Sequence, residues 1–265
     1  MLEQMELDLV YCVMNEIYLL QPALDCLEAG VHLFIEKPPG KDPQEAARIL
    51  EAAERRDRIV MVGLQRRYAA VTQEAMRRVQ ATGQTTLAVG EFHKWLTHPG
   101  NTSTLWNDLI HVVDLIRFMV QSEPAEVTAY GDRFGTEWKN CYTALIRFQN
   151  GAHGVLLGNR ASGGRVLRAE LHGVGVGCYM EIPSQIEVLE AGKERLTLTG
   201  AELVGGDPSD VPRYEGVLAM HRHLIACVQE GRYPLSDLRD VIPHRRATGP
   251  DRKRLGITRC GVSSL

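Results

Sequence analysis

The chain has 265 residues, 44% hydrophobic and 24% charged, with a formal net charge of −3, which is the composition of an ordinary globular protein of one large or two ordinary domains. That charge is too near neutral for whole-molecule steering toward nucleic acid or a membrane surface, and no run approaches the roughly 18 apolar residues of a membrane span. The start, MLEQMELDLVYCVM, has no basic segment ahead of a sustained apolar stretch, and the six scattered cysteines (Cys12, Cys26, Cys141, Cys178, Cys227, Cys260) form no C-x-x-C pair, so reduced thiols in the cytoplasm are expected.

In chain order, LDLVYCVM (7–14) reads as a buried strand. YLLQPALDCLEAG follows as a helix, with Leu20, Leu24 and Leu27 on one face and Gly30 suited to the position after its end. VHLFI is the second strand. DPQEAARILEAAERRD then opens with Asp42 as N-cap and Pro43 at the first helical position, and RIVMVG is the third strand. This βαβαβ order implies parallel strands in an open α/β sheet. A helix over 70–80, a strand through TTLAVGEFHKWL and a helix through LWNDLIHVVDLIRFMV come next. From 125 to 198 short strands separated by Gly and Asn turns predict a mostly antiparallel sheet. A helix through EGVLAMHRHLIACVQEG ends at Gly231, and PLSDLRDVI begins another. The expected division is 1–65, then 66–242. The final stretch, 243–265, is basic, rich in Gly and Pro and without period, and is expected to be a disordered tail or a frameshifted end.

Two constellations carry chemistry. Lys37 lies two residues past LFI, where open α/β sheets bind ligands, and Pro38 and Pro39 stiffen the turn. There an ammonium is placed to polarise a carbonyl or steady an alkoxide; the bland alternative is a solvated lysine at a strand end. In the second, Asn107, His111 and Asp114 fall at i, i+4 and i+7 on one face of an otherwise apolar helix. That histidine is either a proton-transfer group or a structural histidine bonded to Asp114. GVGVG (173–177) is expected to be a hairpin turn, since no helix follows it. His221 and His223, at i and i+2, do not share a helix face, so no metal site is expected.

Taken together, LDLVYCVM, ALDCLEAGVHLFIEKPPG, VMVGLQRRY, LWNDLIHVVDLIRF and EGRYPLSDLRDVI resemble the Gfo/Idh/MocA family of NAD(P)-dependent oxidoreductases, in order and spacing, from about 7 to 242. The resemblance implies α/β plus α+β architecture: an incomplete Rossmann-type parallel sheet, then a large, mostly antiparallel open-sheet domain. It implies NAD or NADP as cofactor and a sugar, polyol or related alcohol as substrate. Lys37, His111 and Asn107 are its implied catalytic residues, and Glu36, Lys37, Pro38, Gln65 and Arg67 its implied cofactor-binding residues. Asn107 stands where the family pattern has Asp, so this position supplies no negative charge; Asp108, about 100° round a continuous helix, is expected to be a poor substitute. Aligned on the Glu-Lys-Pro turn, the first strand matches the family's fourth, and the family's G-x-G-x-x-G turn has no counterpart here. The expectation is therefore a truncated member lacking on the order of 60 residues, two βαβ units. The alternative is an inactive homologue or a binding and assembly subunit. A homo-oligomer through the open sheet is implied by the resemblance; nucleic-acid and membrane partners are not.

Overall fold

The computed structural model describes residues 6–95 and 102–242. The expected tail, 243–265, lies outside the described residues, as does 96–101.

Strands β1 (Leu9–Cys12), β2 (His32–Ile35) and β3 (Val60–Val62) form a parallel sheet in the order β1-β2-β3. Helix α1 (Glu16–Glu28) starts at Asn15, whose side chain accepts from the Ile17 amide, and Gly30 follows its end at φ 78°. Helix α2 (Pro43–Arg56) is capped by Asp42, which accepts from the Glu45 amide at 2.8 Å. This is the cap that the sequence predicts. Both helices lie on one face of the sheet, where Leu19, Leu27, Ile49 and Leu50 meet Leu33, Ile35, Val60 and Val62.

Alternation along the strands sends Phe34 and Met61 to the opposite face. There they meet Met220 and Leu224 of helix α8 (Val217–Glu230). The last described turn, α9 (Leu238–Val241), inserts Leu238 into the core beneath α1 and α2. Ser236 joins it to β3, its carbonyl accepting from the Val62 amide at 2.9 Å and its hydroxyl donating to the Val62 carbonyl at 2.9 Å. A division at residue 65 therefore meets a later segment that returns: 217–242 packs on the first lobe although it follows the second in sequence.

The second lobe is one eight-stranded sheet. Its strands are β4 (Thr85–Trp95), β5 (Pro124–Asp132), β6 (Cys141–Phe148), β7 (His153–Asn159), β8 (Ala161–Gly173), β9 (Val176–Glu181), β10 (Gln185–Glu190) and β11 (Leu196–Thr199). Their order is β11-β10-β9-β8-β4-β7-β6-β5, and only the β4–β7 pair is parallel. GVGVG is the expected hairpin, with Gly175 at φ 77° between β8 and β9. Helices α3 (Ala70–Ala81) and α5 (Ile110–Val120) cover one face over Ala88, Phe92, Leu156, Leu167 and Leu171. The other face is open, with Tyr130 and Leu145 more than half exposed.

Candidate functional site

The two lobes meet where the chain leaves β2. The turn Glu36–Gly40 carries a cis Lys37–Pro38 bond and Gly40 at φ 103°. Trp106, in the short helix α4 (Thr104–Asn107), donates its indole N–H to the Gly40 carbonyl at 2.9 Å. One residue on, α4 ends. The structure breaks the helix expected through LWNDLIHVVDLIRFMV into α4 and α5, with Asp108 and Leu109 between them. Two contacts place the break. Leu109 is buried against Gly158 of β7, so closely that a Cβ there would lie 2.5 Å from a Leu109 methyl. Asp108 reaches Arg160, with Oδ2 2.6 Å from Nη2.

The break determines the chemistry. The last carbonyls of a helix have no intrahelical donor, and the Asn107 carbonyl instead accepts from Lys37 Nζ at 3.0 Å. The same ammonium donates to Asn107 Oδ1 at 3.3 Å, while Asn107 Nδ2 donates to Glu16 Oε1 at 3.4 Å. Lys37 is thereby fixed at the carboxyl end of β2, as its position in the sequence predicts. Burial pulls the Lys37 ammonium below its ordinary pKa, and the charges of Asp108, Glu36 and Glu16 act against that pull.

His111 sits one turn further, its ring edge-on to Phe92 at 6.4 Å between centroids. Its Nδ1 is closed off from solvent and has no hydrogen-bond partner among the described residues. Burial, then the cations Lys37, Arg66 and Arg165, hold its pKa down at about 3, so the imidazole is neutral at physiological pH. The alternative of a structural histidine bonded to Asp114 is not realised. Both Asp114 oxygens are held by Arg67, through Nε at 2.8 Å and through Nη2.

That pairing corrects the expectation that Arg67 faces the cofactor. Arg67 is 1% exposed and spends its donors on Asp114, on Asp240 (2.6 Å) and on the Leu235 carbonyl, leaving it a buried tie between the two lobes. Gln65 opens the 3-10 turn Gln65–Tyr68 directly after β3 and is half-buried. Glu36 accepts from the Lys37 amide at 3.3 Å, and Pro38 is buried. The arginine of this turn that bears on His111 is Arg66. A tight turn sends neighbouring side chains in different directions, and R-R in sequence does not say which one faces the cleft. Asp108 also departs from expectation. The break carries it away from continuous-helix geometry, and it lies 3.8 Å from Lys94 and beside Arg160 while its charge bears on Lys37.

The residues present suit the nicotinamide end of a dinucleotide: a half-buried ammonium and a neutral imidazole with an orphaned nitrogen, set at the carboxyl end of a parallel strand. Among the described residues no group of His, Cys, Asp and Glu is placed to hold a metal. A shallow depression of about 220 Å³ lined by Glu91, Arg168, Glu170, Tyr179 and Glu187 lies on the open sheet face, away from this cluster.

A chain with a parallel α/β lobe, an open mixed sheet and a lysine–histidine cluster between them has the build of a two-domain dehydrogenase. Residues 1–64 match the oxidoreductase family NAD-binding Rossmann fold of Gfo/Idh/MocA proteins, and residues 71–175 match the Gfo/Idh/MocA C-terminal domain. The chain belongs to the Gfo/Idh/MocA oxidoreductase family. Among solved structures it is similar to an oxidoreductase domain protein from Kribbella flavida (21% identity, TM-score 0.78, covering 91% of this chain and 76% of that one). It is also similar to a levoglucosan dehydrogenase in complex with NADH and levoglucosan (18%, 0.78, 88% and 74%). A third similar structure is an inositol dehydrogenase homologue from Azotobacter vinelandii with NADH and myo-inositol (17%, 0.73, 88% and 72%). Comparison with curated protein sequences gives no match.

Proposed function

We propose that this chain is an NAD-dependent oxidoreductase that interconverts a secondary alcohol of a sugar or polyol and the corresponding ketone. The observation that carries the reading is the contact of Lys37 Nζ with both the carbonyl and the side chain of Asn107, one helical turn from a neutral His111. The nicotinamide cofactor supplies the hydride acceptor. His111 takes the hydroxyl proton, for which its neutral form is required. Lys37 stabilises the negative charge that develops on the substrate oxygen as that proton leaves. Asn107 holds the Lys37 ammonium and offers its amide to a substrate hydroxyl. Glu36, Pro38 and Gln65 line the cofactor side of the turn. The family relation supports these roles, as do the sugar and polyol ligands named in the similar structures.

His111→Ala should lower kcat by about 10²–10⁴ while the protein stays folded; unchanged turnover would remove His111 from the role of base. Titration with NADH tests cofactor binding directly: the oxidoreductase reading requires a change in NADH fluorescence, and a binding or assembly subunit without turnover leaves it unchanged. The reading extends to a cytoplasmic homo-oligomer paired through the open sheet face. The free cysteines at 12, 26, 141, 178 and 227, the exposed Tyr130 and Leu145, and the absence among the described residues of any helix long and apolar enough to cross a membrane are consistent with it.

A further inference from the structure

Cations gather around the His111 pocket in excess of what ordering the turn requires. Besides Lys37 they are Arg66, Lys94, Arg160 and Arg165. Arg160, between β7 and β8, is fully buried; its Nη2 lies 2.6 Å from Asp108 Oδ2, while its Nε and Nη1 have no hydrogen-bond acceptor among the described residues. Arg66 is 6% exposed, with Nη1 2.7 Å from Glu215 Oε1, and its Nε lacks an acceptor among the described residues. Arg165 is exposed and reaches over the same aromatic ring as Arg160: the two guanidinium carbons lie 5.7 and 5.3 Å from the Phe92 centroid. Phe92 is also the ring against which His111 stands. The Phe92 ring thus carries two guanidinium groups and the imidazole, and Arg66 stands close enough for its charge to act on His111 and for that of Arg165 to act on it.

The acids near these cations are Asp108 and Glu215, at ion-pair distance of an arginine, and Glu16 and Glu36, which act on Lys37. Four carboxylates thus face five cations, and only two of the four reach an arginine. A buried guanidinium with open donors is costly unless an acceptor arrives. A neutral hydroxyl supplies an acceptor without balancing the charge. A carboxylate or phosphate does both, in the two-oxygen geometry that the guanidinium fork fits.

We propose that the substrate carries an oxyanion, held by Arg66, Arg160 and Arg165 beside the alcohol that reacts at His111; the proposal rests on the oxidoreductase reading above. Titration calorimetry on the full chain with saturating NAD, against sorbitol, gluconate and sorbitol 6-phosphate, tests it. At least one anion should bind about tenfold or more tightly than sorbitol, lose affinity with added salt, and bind about tenfold more weakly to Arg165→Met. Whichever of gluconate and the phosphate binds more tightly identifies the source of the oxyanion. Equal binding of all three, no binding of either anion, or displacement of the anion by NAD overturns the proposal, the last by assigning the arginines to the cofactor. Tight anion binding without hydride transfer in a coupled assay leaves the oxyanion site standing and removes the oxidoreductase reading.

Discussion

The Asn107 amide stands between opposite charges, its oxygen toward Lys37 and its nitrogen toward Glu16. An aspartate there would keep the contact with Lys37 and add a negative charge near His111. Opposite charge favours the imidazolium, so Asn107→Asp should raise the His111 pKa and move the acid limb of kcat against pH upward by about one unit. A limb that stays in place would show that Lys37, Arg66 and Arg165 fix the titration of His111 on their own. At this scale the sequence was informative where order and spacing mattered: Lys37 meets Asn107, and its charge reaches His111. It failed where a side chain's direction depends on one local bend. Arg67 and Arg66 are adjacent in sequence and differ in role because a 3-10 turn separates their directions. Asp108 enters the cluster because the helix stops one residue before it.

At the scale of the element, Arg67 ties three pieces together: its own turn after β3, α5 through Asp114, and α9 through Asp240, which Arg117 also reaches at 3.2 Å. Removing one partner from a buried pair leaves an uncompensated charge. Asp114→Asn should therefore cost about 3–5 kcal/mol in urea unfolding, although the site residues are untouched; a loss below about 1 kcal/mol would mean that Asp240 alone suffices for Arg67. Gly216 is a second such point. It opens α8 at φ 94°, and a Cβ there would lie 2.4 Å from the Tyr68 carbonyl carbon and 2.5 Å from the Ala69 amide nitrogen. Gly216→Ala should lower Tm by several degrees, read by circular dichroism, through both backbone strain and the clash. By contrast the regular elements were legible beforehand, because the Asp42 cap, the Gly30 and Gly231 helix ends and the two-residue alternation are local signals. The return of α8 and α9 to the first sheet was not, since their amphipathic pattern shows that they pack but not against what.

For the molecule as a whole, two histidines link stability to pH. His223 accepts from the Leu235 amide at 3.0 Å and is held at about 4 by burial and then by Arg232; His111 is held at about 3. Both lie below the ordinary value of 6.5. The stability conferred by keeping them neutral is complete above that value and is lost as pH falls through the folded-state values. Each contributes at most roughly 1.4 kcal/mol per pH unit in that window. Tm should fall between pH 6.5 and 4, and His223→Gln should flatten the fall; an equal slope in the variant would exclude His223 as a cause.

The contact of Gly216 with the Tyr68–Ala69 backbone has a mechanical consequence. The chain crosses between lobes at these two places, and they touch, so the crossings form one junction rather than two separate straps. A rotation between the lobes would turn about that point, and the parts farthest from it would move most. The indole of Trp106, anchored on the Gly40 carbonyl across the gap, is a native optical gauge of that rotation.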